Sequence, residues 1–415
     1  MAVRADEMRA LLWSFAYFFC LLASYYVLRP LRDEMGVAGG VRNLHWLFTA
    51  TFVVMLAAVP IFGALVARLP RRRFIPLVYH FFVLNIAVFW ALLTFDIARE
   101  HVARVFFVWI SVFNLFAVSV FWSFMADLFR SEQGKRLFGF IAAGGSAGAL
   151  AGPGLTIVLA GPLGPVNLLV VAALLLEAAV WCASRLERSA PREAPAGGAP
   201  PAAQAPLGGG ALAGFALLLR SPYLAGIALW VLLLSLAGTV LYFQQANIVA
   251  AASDDPAVRT RIFASIDFAA GVLTIVVQTV ATGRLMTRFG AGAAAAFLPL
   301  VFAAGFAALA ASPALALVIA FQAIQRTANF AISNPAREVL FTVAAREEKY
   351  KAKYLIDGVV FRGGDAASGW LFNTLRAAGL ELQTISAVTV PVAIGWLALA
   401  LALGRAHERR ARERN

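Results

Sequence analysis

Apolar stretches about 20 residues long recur from one end of this 415-residue chain to the other, and nothing else in the sequence limits its folding so strongly. Inside a bilayer the backbone N–H and C=O groups have no water to bond, so a crossing segment must satisfy them internally or in a closed barrel. A spanning helix needs about 20 predominantly apolar residues. About twelve such segments are present, near residues 10–28, 44–66, 74–95, 102–125, 137–160, 164–184, 223–244, 262–283, 292–311, 313–333, 354–375 and 383–403. Strands of a membrane barrel would be about ten residues long and would alternate polar with apolar positions, and these runs do neither. The expected fold class is therefore all-α and integral to a membrane. Composition agrees, with 61% hydrophobic and 14% charged residues, against about 25% charged in soluble domains. The first run is followed by charge instead of a small-residue cleavage site, so it reads as a retained span.

The excess of 35 lysines and arginines over 22 acids reports topology. One set of alternate loops holds "RLPRRR", "RSEQGKR", "RLERSAPRE", "GRLMTR", "REEKYKAK" and the tail "GRAHERRARER". The other holds "RPLRDEM", "DIAREHVAR", "GPLGP", "DDPAVRTR" and "RAAGLE", with far fewer cations, each matched by an acid. Cations accumulate on the cytoplasmic side of spans. Both termini and the middle linker are thus expected in the cytoplasm, on a multi-pass protein of the cell (inner) membrane. The lipid bilayer is the partner this composition requires. A nucleic-acid partner is not expected, because the basic residues are split among short loops without an aromatic platform. Neither cofactor nor metal is expected. His45, His80, His101 and His407 form no H-E-x-x-H pattern, and Cys20 and Cys182 lie in separate apolar runs. With no nucleophile elbow either, the pattern is not that of an enzyme.

Residues 188–219 are rich in Pro, Gly and Ala without apolar periodicity, as in a flexible tether. They separate a six-span half, 1–187, from a second, 220–405, with a basic tail at 406–415. The halves resemble each other: "GALVARLPRRR" from Gly63 and "GRLMTRFGAGA" from Gly283 lie about 220 residues apart, and "KRLFGFIAAGGSAGA" parallels "KAKYLIDGVVFRGGDAASG" at nearly the same offset. Two parallel six-helix repeats joined by a cytoplasmic loop resemble the plan of the major facilitator superfamily. The G-x-L-x-x-R-x-x-R-R spacing is similar to that superfamily's signature between helices 2 and 3, with Ala67 where an acid is usual. Arg68 and Arg71, with Arg284 and Arg288 in the repeat, are accordingly expected to brace a cytoplasmic gate. That fold works by rocking two bundles about a central site.

Polar residues inside the spans mark where such a site would lie. The eighth span carries Asp267, Gly271, Thr274, Gln278 and Thr282 at spacings of three or four, which is one helix face. The tenth carries Gln322, Arg326, Asn329 and Ser333; the seventh, Ser235, Thr239, Tyr242 and Gln245; the eleventh, Asp357, Arg362 and Asp365 among glycines. An ionised group at the bilayer centre costs at least about 2.5 to 3.5 kcal/mol, so each needs a wet cavity or a partner. Two readings stay open: the charges line a substrate cavity, or Arg326 and Arg362 pair with Asp267, Asp357 or Asp365 to fix packing. Gly144, Gly148 and Gly152, spaced by four, form a small-residue ridge for close helix packing. No G-K-[ST] follows to suggest a phosphate loop.

The first span ends in "SYYVLRPLRDEMG". Pro30 lacks an N–H and crowds the Tyr26 carbonyl, so the helix is expected to kink or fray where the arginines begin. Arg29, Arg32 and Asp33 lie three and four apart at the outer mouth. As guanidinium forks, Arg29 and Arg32 could clamp phosphate or carboxylate oxygens, or they could anchor the helix end at the headgroups. With Arg326 they would supply a positive field for a small anionic substrate.

These residues resemble the nucleotide antiporters, the ATP/ADP translocases or NTP/NDP exchangers of intracellular bacteria and plastids. "LRPLRD" stands where that family has L-R-D-x-K-D, "FWSFMADLFRSEQGKRLFGFIAAGG" resembles its F-W-x-F-A-N and E-A-K-R-F-Y blocks, and "YKAKYLIDGVVFRGGDAASG" resembles its K-G-K-A-x-I-D-V-x-x-x-R-x-G-K-S-G block. The resemblance carries over Lys351, Lys353, Asp357 and Arg362, the two lysines as gating residues, and implies exchange of nucleotides. Three departures fall on the substrate: the family's helix 4 glutamate is replaced around Asn114, its helix 7 glutamate at Thr239, and the lysine of its last block at Asp365. A carrier of another organic anion, a membrane scaffold that does not transport, and an intramembrane enzyme are the competing classes.

Overall fold

The computed structural model describes residues 7–68, 71–129, 131–189, 218, 220–344, 352–353 and 355–414. All regular structure among them is helical. The first half holds α1 (Met8–Ala38), α2 (Leu44–Arg68), α3 (Arg71–Thr94), α4 (Arg99–Leu128), α5 (Ser131–Leu163) and α6 (Leu168–Ser189). The second holds α7 (Pro222–Ala252), α8 (Pro256–Arg288), α9 (Gly290–Ala311), α10 (Leu315–Val343), α11 (Phe361–Ala377) and α12 (Leu382–Arg414). Among the described residues, 11 helices are long and apolar enough to cross a membrane. Charges and glycines shorten the apolar run of α11. Most of the expected linker, 190–217 and 219, lies outside the described residues, as do Lys351 and the side chains of Arg68 and Arg71.

Local chemistry sets several helix ends that apolarity alone misplaced. The Asp255 carboxylate accepts the Ala257 N–H at 2.8 Å, and Pro256 opens α8, an N-cap followed by proline at N1. That moves the start of α8 six residues before the apolar run at 262. Gly290, with φ of 77°, occupies the left-handed region and separates α8 from α9. α1 corrects the expectation of a frayed end, since it runs through Pro30 without a break to Ala38. Gly39 closes it by donating to Met35 O at 2.8 Å.

The chain forms two compact units that do not follow the sequence halves throughout. One comprises Met1–Asn43, Ala50–Ala194 and Val249–Gly271; the other, Leu44–Thr49, Pro195–Ile248 and Val272–Asn415. In the first unit α1 is the central helix, packed on α4, α5 and α6. Phe18 stacks on Phe121 at 4.0 Å between centroids. The Tyr17 hydroxyl donates to the Tyr79 hydroxyl (2.7 Å), which donates to the Ala117 carbonyl (3.1 Å), so the buried phenols are satisfied. The small-residue ridge of α5 does what its spacing suggested. A Cβ on Gly144, Gly148 or Gly152 would press on the carbonyls of Phe15, Phe19 and Ala23, which climb α1 by the same step of four.

In the second unit, Trp230 of α7 meets Trp396 of α12 edge to face at 5.4 Å, and Phe302 of α9 meets Phe321 of α10 at 5.5 Å. Gly292 and Gly404 let α9 and α12 touch backbone to backbone. The first residues of α2 also belong here. Trp370 of α11 donates to Thr49 Oγ1 at 3.0 Å and packs against His45 and Trp46. Apolar side chains left exposed along the helices, such as Leu84, Val158 and Leu174, suit contact with lipid.

The glycine ridge makes a direct test. Gly148→Val, which drives a side chain into the Phe19 carbonyl, should lower the thermal unfolding midpoint in detergent and cut membrane yield. Gly139→Ala, with nothing within 4 Å of its added Cβ, should be neutral or slightly stabilising. Equal effects of the two would contradict backbone-level packing of α1 on α5.

Candidate functional site

The charged end of α1 is engaged by a stretch from the other half of the sequence, within the first unit. Arg29 Nη1 lies 3.5 Å from Asp267 Oδ1, and Arg259 Nη2 donates to Glu34 Oε1 at 2.7 Å. The carboxylates are almost wholly buried, at 1% side-chain exposure each, while Arg29 and Arg259 keep 19% and 10%. Arg259 also donates through Nη1 to the Ser253 carbonyl at 3.1 Å, which braces the loop before α8. Arg32 lies over the Phe107 ring at 4.1 Å from its centroid and 3.8 Å from Asp33 Oδ1. Helical geometry explains the pattern. Arg29 and Asp33 are one turn apart on α1, Glu34 lies one residue round, and Arg259 and Asp267 are two turns apart on α8.

In this structure, therefore, Arg29 is not an open fork at a frayed mouth. Its partner is Asp267, an acid that the sequence had offered to Arg326 or Arg362. Two charged residues that matter here, Glu34 and Arg259, were not singled out as site residues. Their signals were present: Glu34 follows Asp33 at the end of the first span, and Arg259 falls one turn into a helix announced by Asp255-Pro256.

The second unit gathers polar groups on α7, α10 and α11. Asp365 Oδ1 accepts from Ser235 (2.6 Å) and Thr239 (3.2 Å) of α7, and its Oδ2 lies 3.7 Å from Arg362 Nη1. The Ser235 hydroxyl also bonds the Phe361 carbonyl at 2.9 Å. A Cβ on Gly364 would sit 2.8 Å from Ser235 Oγ, so the glycine is what lets α11 approach α7 this closely. Asp357 pairs with Arg337 at 3.0 Å, a residue absent from the expected set, and Lys353 bonds both carboxylate oxygens of Glu338 at 2.6 Å. These two pairs tie the end of α10 to the entry of α11.

Arg326 is buried one turn above Gln322 on α10. Immediately beyond it a π-helical turn, Ala328–Ser333, inserts an extra residue and turns Asn329 and Ser333 off the face that a regular helix predicts. Similar turns occupy Gln278–Thr282 in α8 and Ile356–Val360 before α11. In α8, Asp267 is buried, whereas Gln278 is exposed and Thr282 donates to the Ala331 carbonyl at 2.8 Å. Buried polar atoms without a protein partner among the described residues include both amide atoms of Gln245, Asn329 Oδ1 and Ser333 Oγ. Asn114 is half-buried on α4. Of the expected gating residues, Lys353 is held by Glu338, and exposed Arg284 bonds its own helix at the Val280 carbonyl (3.3 Å). Arg288 is exposed on the last turn of α8.

No family model matches the chain, and no curated protein does either. Solved structures do. A bacterial homologue of the iron transporter ferroportin, in an inward-facing state, aligns over 98% of this chain and 99% of its own with a TM-score of 0.68 at 13% identity. The nucleoside transporter NupG aligns over 98% and 99% (TM-score 0.64, 12% identity), and a POT family transporter in complex with a thioalcohol-conjugated peptide over 96% of both chains (TM-score 0.67, 12% identity). The fold is that of the major facilitator transporters. These neighbours carry different cargoes on one scaffold, so the major-facilitator fold is established here without a substrate.

The buried pair on α1 generates a stability prediction. Arg259→Met strands the Glu34 carboxylate and should cost about 3 to 5 kcal/mol, whereas the double change with Glu34→Leu should recover most of it. Thermal unfolding of the purified variants measures both. A double variant no more stable than the single would show that the pair is not the coupled unit described.

Proposed function

We propose that this chain is an alternating-access membrane transporter of a small anionic substrate, with exchange of nucleotides or a related phosphorylated anion as its specific activity. The supporting observation is the pairing of Arg29 with Asp267. It joins a guanidinium on α1 to a carboxylate on α8 in a fold used by carriers. An anionic oxygen can take the place of Asp267 on Arg29, because the guanidinium fork fits phosphate and carboxylate alike. Binding would then free α8 from α1, and Glu34–Arg259 would be the second link to open. The substrate thus contributes free energy to the conformational change, as any ligand that shifts an equilibrium must do through differential affinity.

Within the first unit, Arg32 would add to the positive field and Asn114 would supply a neutral hydrogen bond; in the second unit, Arg326, Asn329 and the amide of Gln245 are the groups of the same kinds. Both termini are placed in the cytoplasm of a cell in this account, with the α1–α8 pairs on the outer side and Lys351, Arg68 and Arg71 on the inner one. The departures from the resembled family bear on which anion is carried. Thr239 and Asp365, two separate departures from the resembled family, are hydrogen-bonded neighbours at 3.2 Å. Where the family has glutamate and lysine, this chain has a neutral hydroxyl and a carboxylate. That exchange of chemistry fits a relative adapted to a different phosphorylated or carboxylated cargo, and carriage of another organic anion is the second reading for that reason.

Purified protein in liposomes preloaded with ADP should take up labelled ATP, and a panel of phosphorylated and carboxylated anions ranks the alternatives. Arg29→Gln and Arg32→Gln, expressed to equal membrane levels, should each weaken binding by about 1.5 to 3 kcal/mol, the range for a charged hydrogen bond. Uptake of a carboxylate but no nucleotide would replace the first reading with the second. Normal uptake and affinity in both arginine variants would remove α1 from the site.

A further inference from the structure

We propose that the groove between the start of α7 and the last turns of α12 binds one anionic phospholipid, held by its phosphodiester at Arg409 and Arg410. Both helices belong to the second unit. The groove has a volume of about 500 Å³ and changes from apolar to charged along its length. Pro222, Gly226, Leu399 and Leu403 line one part, and Arg409, Arg410 and Glu413 line another. The division has its cause in the sequence. The apolar run of α12 gives way after Leu403 to "GRAHERRARER", while that of α7 starts at Pro222, just after Arg220 and Ser221. A Cβ on Gly226 would lie 2.9 Å from Leu403 Cδ2, so the bare glycine lets Leu403 close on α7 and sets the two apolar boundaries side by side. An acyl chain suits the first part of the groove and a phosphate the second, as in basic pockets between membrane helices that hold lipid headgroups.

Arg410 is set in advance for this role. Its guanidinium lies over the Tyr223 ring, 4.5 Å from the centroid. That ring is itself fixed, since Tyr223 is buried and its hydroxyl donates to the Leu340 carbonyl at 2.7 Å. The ring face attracts the cation without using its N–H donors, which stay available to phosphate oxygens. Charge fits as well. Glu408 lies toward Gly290 of α9, where a Cβ would sit 3.7 Å from its carboxylate, and it does not line the groove. Glu413 is the acid among the lining residues, and it forms no salt bridge with Arg409 or Arg410 among the described residues. Two arginines and one glutamate leave an excess of one positive charge, which balances the single negative charge of a phosphodiester. A zwitterionic headgroup offers no net charge in return.

Native mass spectrometry of the full-length protein released from detergent micelles counts retained lipid directly. The probes are dioleoyl phosphatidylglycerol, the zwitterionic dioleoyl phosphatidylethanolamine and soluble glycerol phosphate. One phosphatidylglycerol should stay bound to the unaltered protein at concentrations where neither of the others does. Arg409 and Arg410 lie beyond Leu403, the last buried apolar residue of α12, so changing them leaves the core packed. Arg409→Gln with Arg410→Gln should weaken retention by about tenfold or more, as the loss of charged hydrogen bonds requires. Arg405→Gln with Arg412→Gln removes equal charge from positions that do not line the groove and should leave retention nearly unchanged. Ala406→Trp, which fills the groove without altering charge, should abolish it. Equal losses in the two arginine pairs would show diffuse attraction to a basic helix end and overturn the site, as would normal retention in Ala406→Trp. Binding of glycerol phosphate as tightly as the lipid, or of phosphatidylethanolamine in preference to phosphatidylglycerol, would overturn the anionic phospholipid as its occupant.

Discussion

The order of the charges at the end of α1 depends on how α1 is held. Between helices in a bilayer the hydrophobic effect gives little preference for protein over lipid, so association relies on close packing and hydrogen bonds. α5 meets this constraint with glycine at 144, 148 and 152, and the carbonyls of Phe15, Phe19 and Ala23 fill the space that side chains would have taken. Backbone-to-backbone contact fixes both the height and the rotation of α1. Four residues with ionisable side chains, Arg29, Arg32, Asp33 and Glu34, are thereby presented in a defined order, two of them toward α8. A looser helix would turn these charges toward lipid, where each would be costly.

The second half applies the same device with different chemistry. There Gly364 lets α11 close on α7, and the contact is completed by Ser235, Thr239 and Asp365 instead of by bare backbone. One interface closes backbone on backbone; its counterpart is completed by polar side chains. The π-helical turns fall only in the second half among the described residues, next to Arg326, near Thr282 and before Asp357. A helix carrying such a turn has a weakened hydrogen-bond ladder and an altered register. That is where a transporter can change helix direction with least loss of packing.

The sequence disclosed the helical architecture well, because in a membrane hydrophobic length carries most of the information about it. The glycine ridge, too, followed from a spacing of four. Pairing was harder to read. Spacing located Asp267, Asp357 and Asp365 as buried acids, yet their partners Arg29, Arg337 and Arg362 are chosen by tertiary proximity, and one linear pattern suits several pairings. Glu34 and Arg259 stayed hidden because they sit at helix ends, where an exposed loop charge and a buried link look alike in sequence. Pro30 misled for a related reason: a proline disturbs the helix it occupies, but the packing of α1 on three neighbours outweighs the loss of one hydrogen bond. Thr239 and Asp365 looked like two independent departures from the resembled family. In three dimensions they are one.

The proposed function requires that α8 leave α1 when the protein changes state. Spin labels at Ala38 and Val258, exposed positions near the two ends of the Glu34–Arg259 link, report that separation directly once the native cysteines are replaced. Pulsed electron–electron distance measurement in liposomes should give two populations, the shorter one matching the structure. Glu34→Gln should transfer weight to the longer distance without creating a third. A single short distance, unchanged by Glu34→Gln and by every anion tested, would contradict alternating access through this link.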